Sequence, residues 1–178
     1  VDVGPAEHKT CTITNSDLPL SVTLDKSATP GSLPEPGGLF EFTLTITNTS
    51  SESVTITDLD DSRAGDSPDY AISCDALIGD ELAVGESTGC TYHATYTNVG
   101  VYPNDASVEV TDDDGRTATD GASATVTVED QSSTITVDKV ASVSELPEPG
   151  GDVTYTVTIT NDSAIDDLTI TSIEDDQF

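Results

Sequence analysis

Only five Lys and Arg stand against 34 Asp and Glu in 178 residues, a formal net charge of −29. Binding nucleic-acid phosphates needs Lys and Arg, so nucleic acid is excluded as a partner, and no window approaches the roughly 18 apolar residues of a membrane span. Trp and Met are absent and aromatics make up 4%, which leaves no stacking platform for sugars or bases. The acidic surface has three physical readings: solvation with self-repulsion, binding of divalent cations, or adaptation to high salt.

In chain order, residues 1–20 stand apart. Lys9-Thr10-Cys11-Thr12-Ile13-Thr14-Asn15 reads as a single strand, with Ser16-Asp17-Leu18-Pro19 as a connector. This is the closing strand of a preceding domain or a strand free to add to another sheet. Residues 21–130 read as one complete unit. Ser21 to Lys26 is its first strand. Leu33-Pro34-Glu35-Pro36-Gly37-Gly38 follows. Both prolines lack an N–H donor and fix φ, which forbids a helix or a central strand, and the paired glycines allow a sharp turn. Strict alternation comes next: Phe40, Phe42, Leu44 and Ile46 face one way, and Glu41, Thr43, Thr45 and Thr47 the other, the period of a half-buried strand. After a turn at Asn48-Thr49-Ser50-Ser51, Val54 to Thr57 is a strand and Asp58 to Asp69 an acidic loop. Tyr70, Ile72 and Cys74 are expected to alternate inward on a strand. Cys90, Tyr92, Ala94 and Tyr96 do the same on a longer one, followed by Ala106, Val108 and Val110. Asp114-Gly115 closes a hairpin, and Ala122, Ala124, Val126 and Val128 form the final strand. No helical periodicity is found anywhere.

The proline-glycine turn then recurs as Leu146-Pro147-Glu148-Pro149-Gly150-Gly151, 113 residues on, with Val153, Tyr155, Val157 and Ile159 on the apolar side of the next strand. Residues 131–178 therefore read as the first strands of a second unit: Thr134 to Lys139, 152–161 and 168–171. A unit of this size fits a β-sandwich domain, and the internal repeat sets the architecture. The expected fold is all-β, an Ig-like antiparallel β-sandwich in tandem, one repeat complete and one partial. Three strands cannot close a sandwich. Either the sequence is a window on a longer array, or neighbouring copies complete each other by strand donation, a head-to-tail arrangement that builds open filaments. One strand in residues 1–20 is too little to finish the second unit, which favours the window.

The run of Val22, Leu24 and Lys26, then the Leu-Pro-Glu-Pro-Gly-Gly turn, Phe42-Thr43-Leu44-Thr45-Ile46-Thr47-Asn48, Val54-Thr55-Ile56-Thr57-Asp58, Cys74, Leu82-Ala83-Val84-Gly85-Glu86-Ser87-Thr88-Gly89-Cys90 and Val110-Thr111-Asp112-Asp113-Asp114-Gly115 resembles the Ig-like tandem repeats of prokaryotic cell-surface proteins, the DUF11-like or conserved-repeat domains. The stretch from Cys11 to Asn15 is similar to the closing strand between such modules. The resemblance covers almost all of the chain. It implies secreted, surface-anchored stalks, adhesins or fibres, and it carries no catalytic residues to transfer.

Cys74 and Cys90 lie in one unit, in register with inward-facing neighbours. In an extracellular β domain such a pair is expected to form a disulfide, two buried free thiols being the other reading. Cys11 is odd, its partner lying upstream or in a neighbouring chain. Asp58, Asp60 and Asp61, and Asp112, Asp113, Asp114 and Asp120, are the carboxylate clusters that Ca²⁺ would use, with Glu129 and Asp130 at the junction as further candidates. Solvated turns are the other reading, and the spacing is not that of an EF-hand. Asn48-Thr49-Ser50 and Asn161-Asp162-Ser163 are sequons at equivalent positions, which makes Asn48 and Asn161 candidate glycosylation sites. Lys26 and Lys139 share a position on the first strand. In some surface-fibre domains such a lysine forms an isopeptide bond to an Asn of the last strand, but 122–128 contains none, and an exposed or snorkelling lysine is expected. His8 and His93 accompany no nucleophile and have no metal spacing, so no enzyme is expected. The expected role is a structural segment of an extracellular fibre or stalk. Its partners are neighbouring repeats or copies, head to tail. A Ca²⁺-dependent adhesin is the alternative, with loop 99–105 and Tyr102 as its candidate ligand surface.

Overall fold

The computed structural model describes residues 2–13 and 19–176. The fold is all-β and Ig-like. Its strands are β1 (Val22–Thr29), β2 (Ser32–Pro34), β3 (Gly38–Asn48), β4 (Val54–Asp61), β5 (Glu81–Leu82), β6 (Ser87–Tyr96), β7 (Gly100–Thr111), β8 (Thr117–Glu129), β9 (Ile135–Ala141) and β10 (Tyr155–Asn161). They form sheets ordered β1-β3-β6, β2-β8-β7-β4-β5 and β10-β9. The chain divides into two compact units, one of residues 1–27, 42–93 and 104–124, the other of residues 28–41, 94–103 and 125–178.

In the first unit, alternation builds the core. Phe42, Leu44 and Ile46 of β3 and Tyr92 of β6 are wholly buried, as are Ile56 of β4 and Val110 of β7. The strand β4 pairs antiparallel with β7, and the register slips between Ile56 and Asp58. The extra residue of this bulge reverses the parity of everything after it. Val54 and Ile56 point inward before the bulge, and Leu59 and Asp61 point inward beyond it. An aspartate that simple alternation puts on the surface is thereby turned into the core. Tyr70, Ile72 and Cys74 do not form the expected strand. Tyr70–Ser73 is a helical turn, α1, and at helical spacing Tyr70 and Cys74 are buried while Ile72 is 78% exposed. Positions four apart share a helical face and the one between does not.

In the second unit, Pro34 ends β2, which lies parallel at the edge of its sheet beside β8, the position a strand proline tolerates. The turn closes with Gly37 N–H donating to Pro34 O at 2.9 Å and Glu35 N–H to Glu129 O at 2.8 Å. Gly37 has φ +73°, and a Cβ there would lie 2.1 Å from Tyr96 O; only glycine fits. The same turn recurs with Gly150 N–H on Pro147 O at 2.8 Å. The strands β9 and β10 pair antiparallel from Tyr155↔Ala141 to Asn161↔Ile135. Residues 152–154 and 168–171, expected as strand, are not strand. In the first repeat the equivalent β4 is held by β5 and β7, and no such neighbours stand beside 168–171 among the described residues. Val137 and Ile170 are each 58% exposed, while their first-repeat counterparts Leu24 and Ile56 are buried.

Residues 9–13 of the expected first strand are not strand, and Cys11 is an exposed free thiol. Thr14, Asn15, Ser16, Asp17 and Leu18 lie outside the described residues.

Candidate functional site

Lys26 follows Val22 and Leu24 on the inward parity of β1, so its chain runs into the core. The expectation of an exposed or snorkelling lysine is overturned: the side chains of Lys26 and Asp61 are both 0% exposed, with Nζ 2.5 Å from Asp61 Oδ2. The ammonium lies 5.6 Å from the centre of the Phe42 ring and 5.9 Å from that of Tyr92, close enough for cation–π attraction. Tyr92 Oη donates a short hydrogen bond to the same Asp61 oxygen. Asn104, wholly buried on β7, donates its Nδ2–H to Tyr92 Oη at 2.8 Å. Ser62 Oγ in turn donates to Asn104 Oδ1 at 3.2 Å. The lid of the cluster is Tyr70, edge-on to Tyr92 at 5.0 Å, its hydroxyl on Leu59 O.

Burial lowers the Lys26 pKa despite the hydrogen bond and charge of Asp61. Burial, then the bond to Asp61, holds the Tyr92 hydroxyl far above its ordinary value, and burial, then the Asp61 charge, does the same for Tyr70. A buried cluster holds an amine beside a carboxyl, and a phenol bridges that carboxyl to a primary amide.

The second repeat repeats the pair. Lys139 contacts Asp175, and its Nζ lies 4.8 Å from the centre of the Tyr155 ring. Tyr155 stands where the first repeat has Phe42.

The other expected site residues separate. Asp58 and Asp60 are exposed beside the bulge. Asp112 closes its own hairpin, accepting the N–H groups of Asp114 (3.1 Å) and Arg116 (2.8 Å) and pairing with the Arg116 guanidinium at 2.7 Å. Asp113 and Asp114 face solvent, and Asp120 caps the Leu24 N–H at 2.8 Å. These seven carboxylates do not converge. The described residues bring a different trio within 4.8 Å of one another, Glu35, Asp130 and Asp166. Of these, only Asp130 is legible as a junction acid in the sequence.

Asn48 is not an exposed acceptor for glycan. It is wholly buried, its amide donating to Glu52 O, Leu82 O and Ala83 O and its Oδ1 accepting the Ser50 N–H at 2.8 Å. Ser50 Oγ then donates to Ser21 O at 2.7 Å, fastening the turn to the start of the first strand. Asn161 is exposed and makes the same turn, with Ser163 N–H at 2.9 Å and Ser163 Oγ taking the Thr134 N–H at 3.0 Å. The recurring Asn-x-Ser is thus an Asx-turn fastening. Asn48→Ala leaves buried carbonyls unsatisfied and is expected to cost about 2–3 kcal/mol in urea unfolding.

The sulfurs of Cys74 and Cys90 are bonded. His93 Nδ1 lies 2.8 Å from Asp69 Oδ2, and the Ser67 hydroxyl first, then His93, hold the Asp69 carboxyl far below the usual carboxylate range. Tyr102, the expected ligand-surface residue, stacks on Tyr96 with centroids 4.1 Å apart and bonds Asn98 O at 2.6 Å.

Among solved structures, the chain is similar to the ASH/PapD-like domain of human CEP192 (PapD-like domain 7), with a TM-score of 0.36 and 14% identity over 72% of this chain and 98% of that one. No family model and no curated protein matches. No helix among the described residues is long and apolar enough to cross a membrane.

Proposed function

We propose that this chain is a structural segment of an extracellular fibre or stalk on a prokaryotic surface, working by end-to-end stacking of β-sandwich repeats. The observation that carries the reading is the duplication of internal fastenings. The Pro-Glu-Pro-Gly-Gly turn, the Asn-x-Ser turn bonded to the first strand, and the Lys–Asp pair against an aromatic ring each occur in both repeats. What is built twice here is structural bonding. The high acidic charge keeps such fibres from clumping sideways.

The test is the intact mass of native material under denaturing conditions, with and without reductant, beside electron micrographs of the same sample. Linear particles one repeat wide are expected, with a ladder or a very large mass that ignores reductant for a covalent array. Uniform material of 18.4 kDa with no linear order overturns the reading.

A further inference from the structure

We propose that Glu35, Asp130 and Asp166 form a binding site for one divalent cation, Ca²⁺ by the chemistry of its donors, where the two sequence repeats join. Glu35 comes from the Pro-Glu-Pro-Gly-Gly turn of the first repeat, Asp130 from the linker, and Asp166 from the segment after β10 of the second. All three lie in the second compact unit.

The spacing is that of ligands to one ion. One oxygen of each carboxylate lies within 4.8 Å of the other two. Ca²⁺ holds its oxygens at about 2.4 Å, so two on opposite sides of the ion stand about 4.8 Å apart at most. Three negative charges this close repel one another unless a cation lies among them. The five Lys and Arg are each engaged with a carboxylate outside the trio: Lys9, Lys26, Arg63, Arg116 and Lys139.

A second observation points to a ligand. Glu35 Oε2 is buried and has no hydrogen-bond partner among the described residues. A carboxylate oxygen in that position has lost its water and gained no donor, and an ion at the trio supplies the partner. The backbone holds the carboxylates in place. Glu35 N–H donates to Glu129 O at 2.8 Å, beside Asp130. Asp166 is fixed by Asn161 Nδ2 on its carbonyl at 2.7 Å and by Ser133 Oγ on its Oδ2 at 2.5 Å. Oxygen donors alone, without His or Cys, suit a hard cation, and water completes the about six to eight ligands of Ca²⁺.

The internal repeat carries the same acids. Asp17 stands where the linker has Asp130, and Glu148 where the first turn has Glu35. Glu52 stands where the second repeat has Asp166, because Asn48 Nδ2 donates to Glu52 O at 2.8 Å as Asn161 Nδ2 does to Asp166 O. Glu52 itself meets Arg116 here. An acid at each of the three positions in both copies is what a site at every junction of an array requires. A bound ion would tie the turn of one repeat to the linker and to the next repeat. That clamping role rests on the stalk reading above, whereas the site rests on the trio.

The chain is stripped with a chelator and titrated calorimetrically with CaCl₂ in about 0.15 M KCl, which screens loosely held ions. One ion per chain is expected, with a Kd of about 0.1–1 mM, the range of extracellular modules. Glu35→Gln and Asp130→Asn each keep the shape and remove one charge, and each should weaken binding about tenfold or more. Asp113→Asn/Asp114→Asn, altering the exposed acids of the hairpin, should bind as the native chain does. Amide exchange in residues 129–135 should slow with saturating Ca²⁺ in the native chain and not in Glu35→Gln. No saturable binding up to about 10 mM overturns the proposal, as does native binding in both trio variants or its loss in the hairpin variant instead. Asp130 is exposed, so Asp130→Asn keeps the test open if Glu35→Gln does not fold. Binding at the trio by a chain that forms no linear particles keeps the site and removes the stalk; linear particles without such binding do the reverse.

Discussion

Lys26→Met should destabilise the first repeat by about 3–5 kcal/mol, because it leaves the Asp61 charge buried without its partner. Asp61 has no exposed surface to turn toward water, and its remaining side-chain partner of the cluster is the Tyr92 hydroxyl. The carboxyl must then protonate or draw water into the core. The experiment is urea unfolding at neutral pH, read by tyrosine fluorescence, with the double variant Lys26→Met/Asp61→Leu alongside. Removing both charges replaces a buried pair by apolar volume, which for a simple ion pair is neutral or stabilising. The double variant should therefore recover most of the loss. A single variant with an unchanged midpoint would show that the cluster is solvated in solution and the burial argument wrong.

Most of the fold was legible because β alternation is a local signal. Phe40 to Ile46 and Cys90 to Tyr96 show their inward face directly in the sequence, and in both strands these residues are the ones buried. The expected strands that do not form depend on neighbours. Residues 168–171 have the apolar pattern of β4 but lack the strands that hold it. Tyr70, Ile72 and Cys74 satisfy a period of two as well as a spacing of four, and three positions cannot separate the two.

The site was legible in pieces whose meaning depends on the bulge. Val22, Leu24 and Lys26 share a parity, so an inward lysine could be read from β1 alone. Its acceptor could not. Counting by twos from Val54 puts Asp58 and Asp60 inward, and the extra residue after Ile56 gives that place to Asp61. The signal was present in duplicate. Leu168, Ile170, Ile173 and Asp175 repeat the spacing of Val54, Ile56, Leu59 and Asp61, one long step included. A three-residue gap kept in both copies is the mark of a bulge in place. The sequon at Asn48 misled for a related reason. Recurrence at one position was a sound sign of constraint, but the constraint is the hydrogen bonding of the turn.

Removing the disulfide with Cys74→Ala/Cys90→Ala is expected to cost about 3 kcal/mol, the closure entropy of a loop of this length, for a sequence separation of 16. The bridge matters beyond that entropy. The excursion between β4 and β5 contains no strand, only single helical turns, so few backbone bonds hold it to the sheet. It is pinned by Cys74 to β6 and by Tyr70 packed edge-on against Tyr92, and Tyr70 is what closes the lysine pocket. Opening this segment admits water to Lys26 and Asp61 and weakens their pairing, because the attraction falls as the local dielectric rises. The two predictions should thus be coupled. Lys26→Met should cost less in the background without the disulfide than in the native chain, a difference a double-mutant cycle resolves when it exceeds about 0.5 kcal/mol. Reductant added to the native chain should reproduce the loss of the double alanine variant. A midpoint that ignores reductant, with both thiols shown to be reduced, would mean that Tyr70 packing and the bonds of Asp69 to His93 keep the segment in place. Additive costs would mean that the pocket stays dry without the bridge.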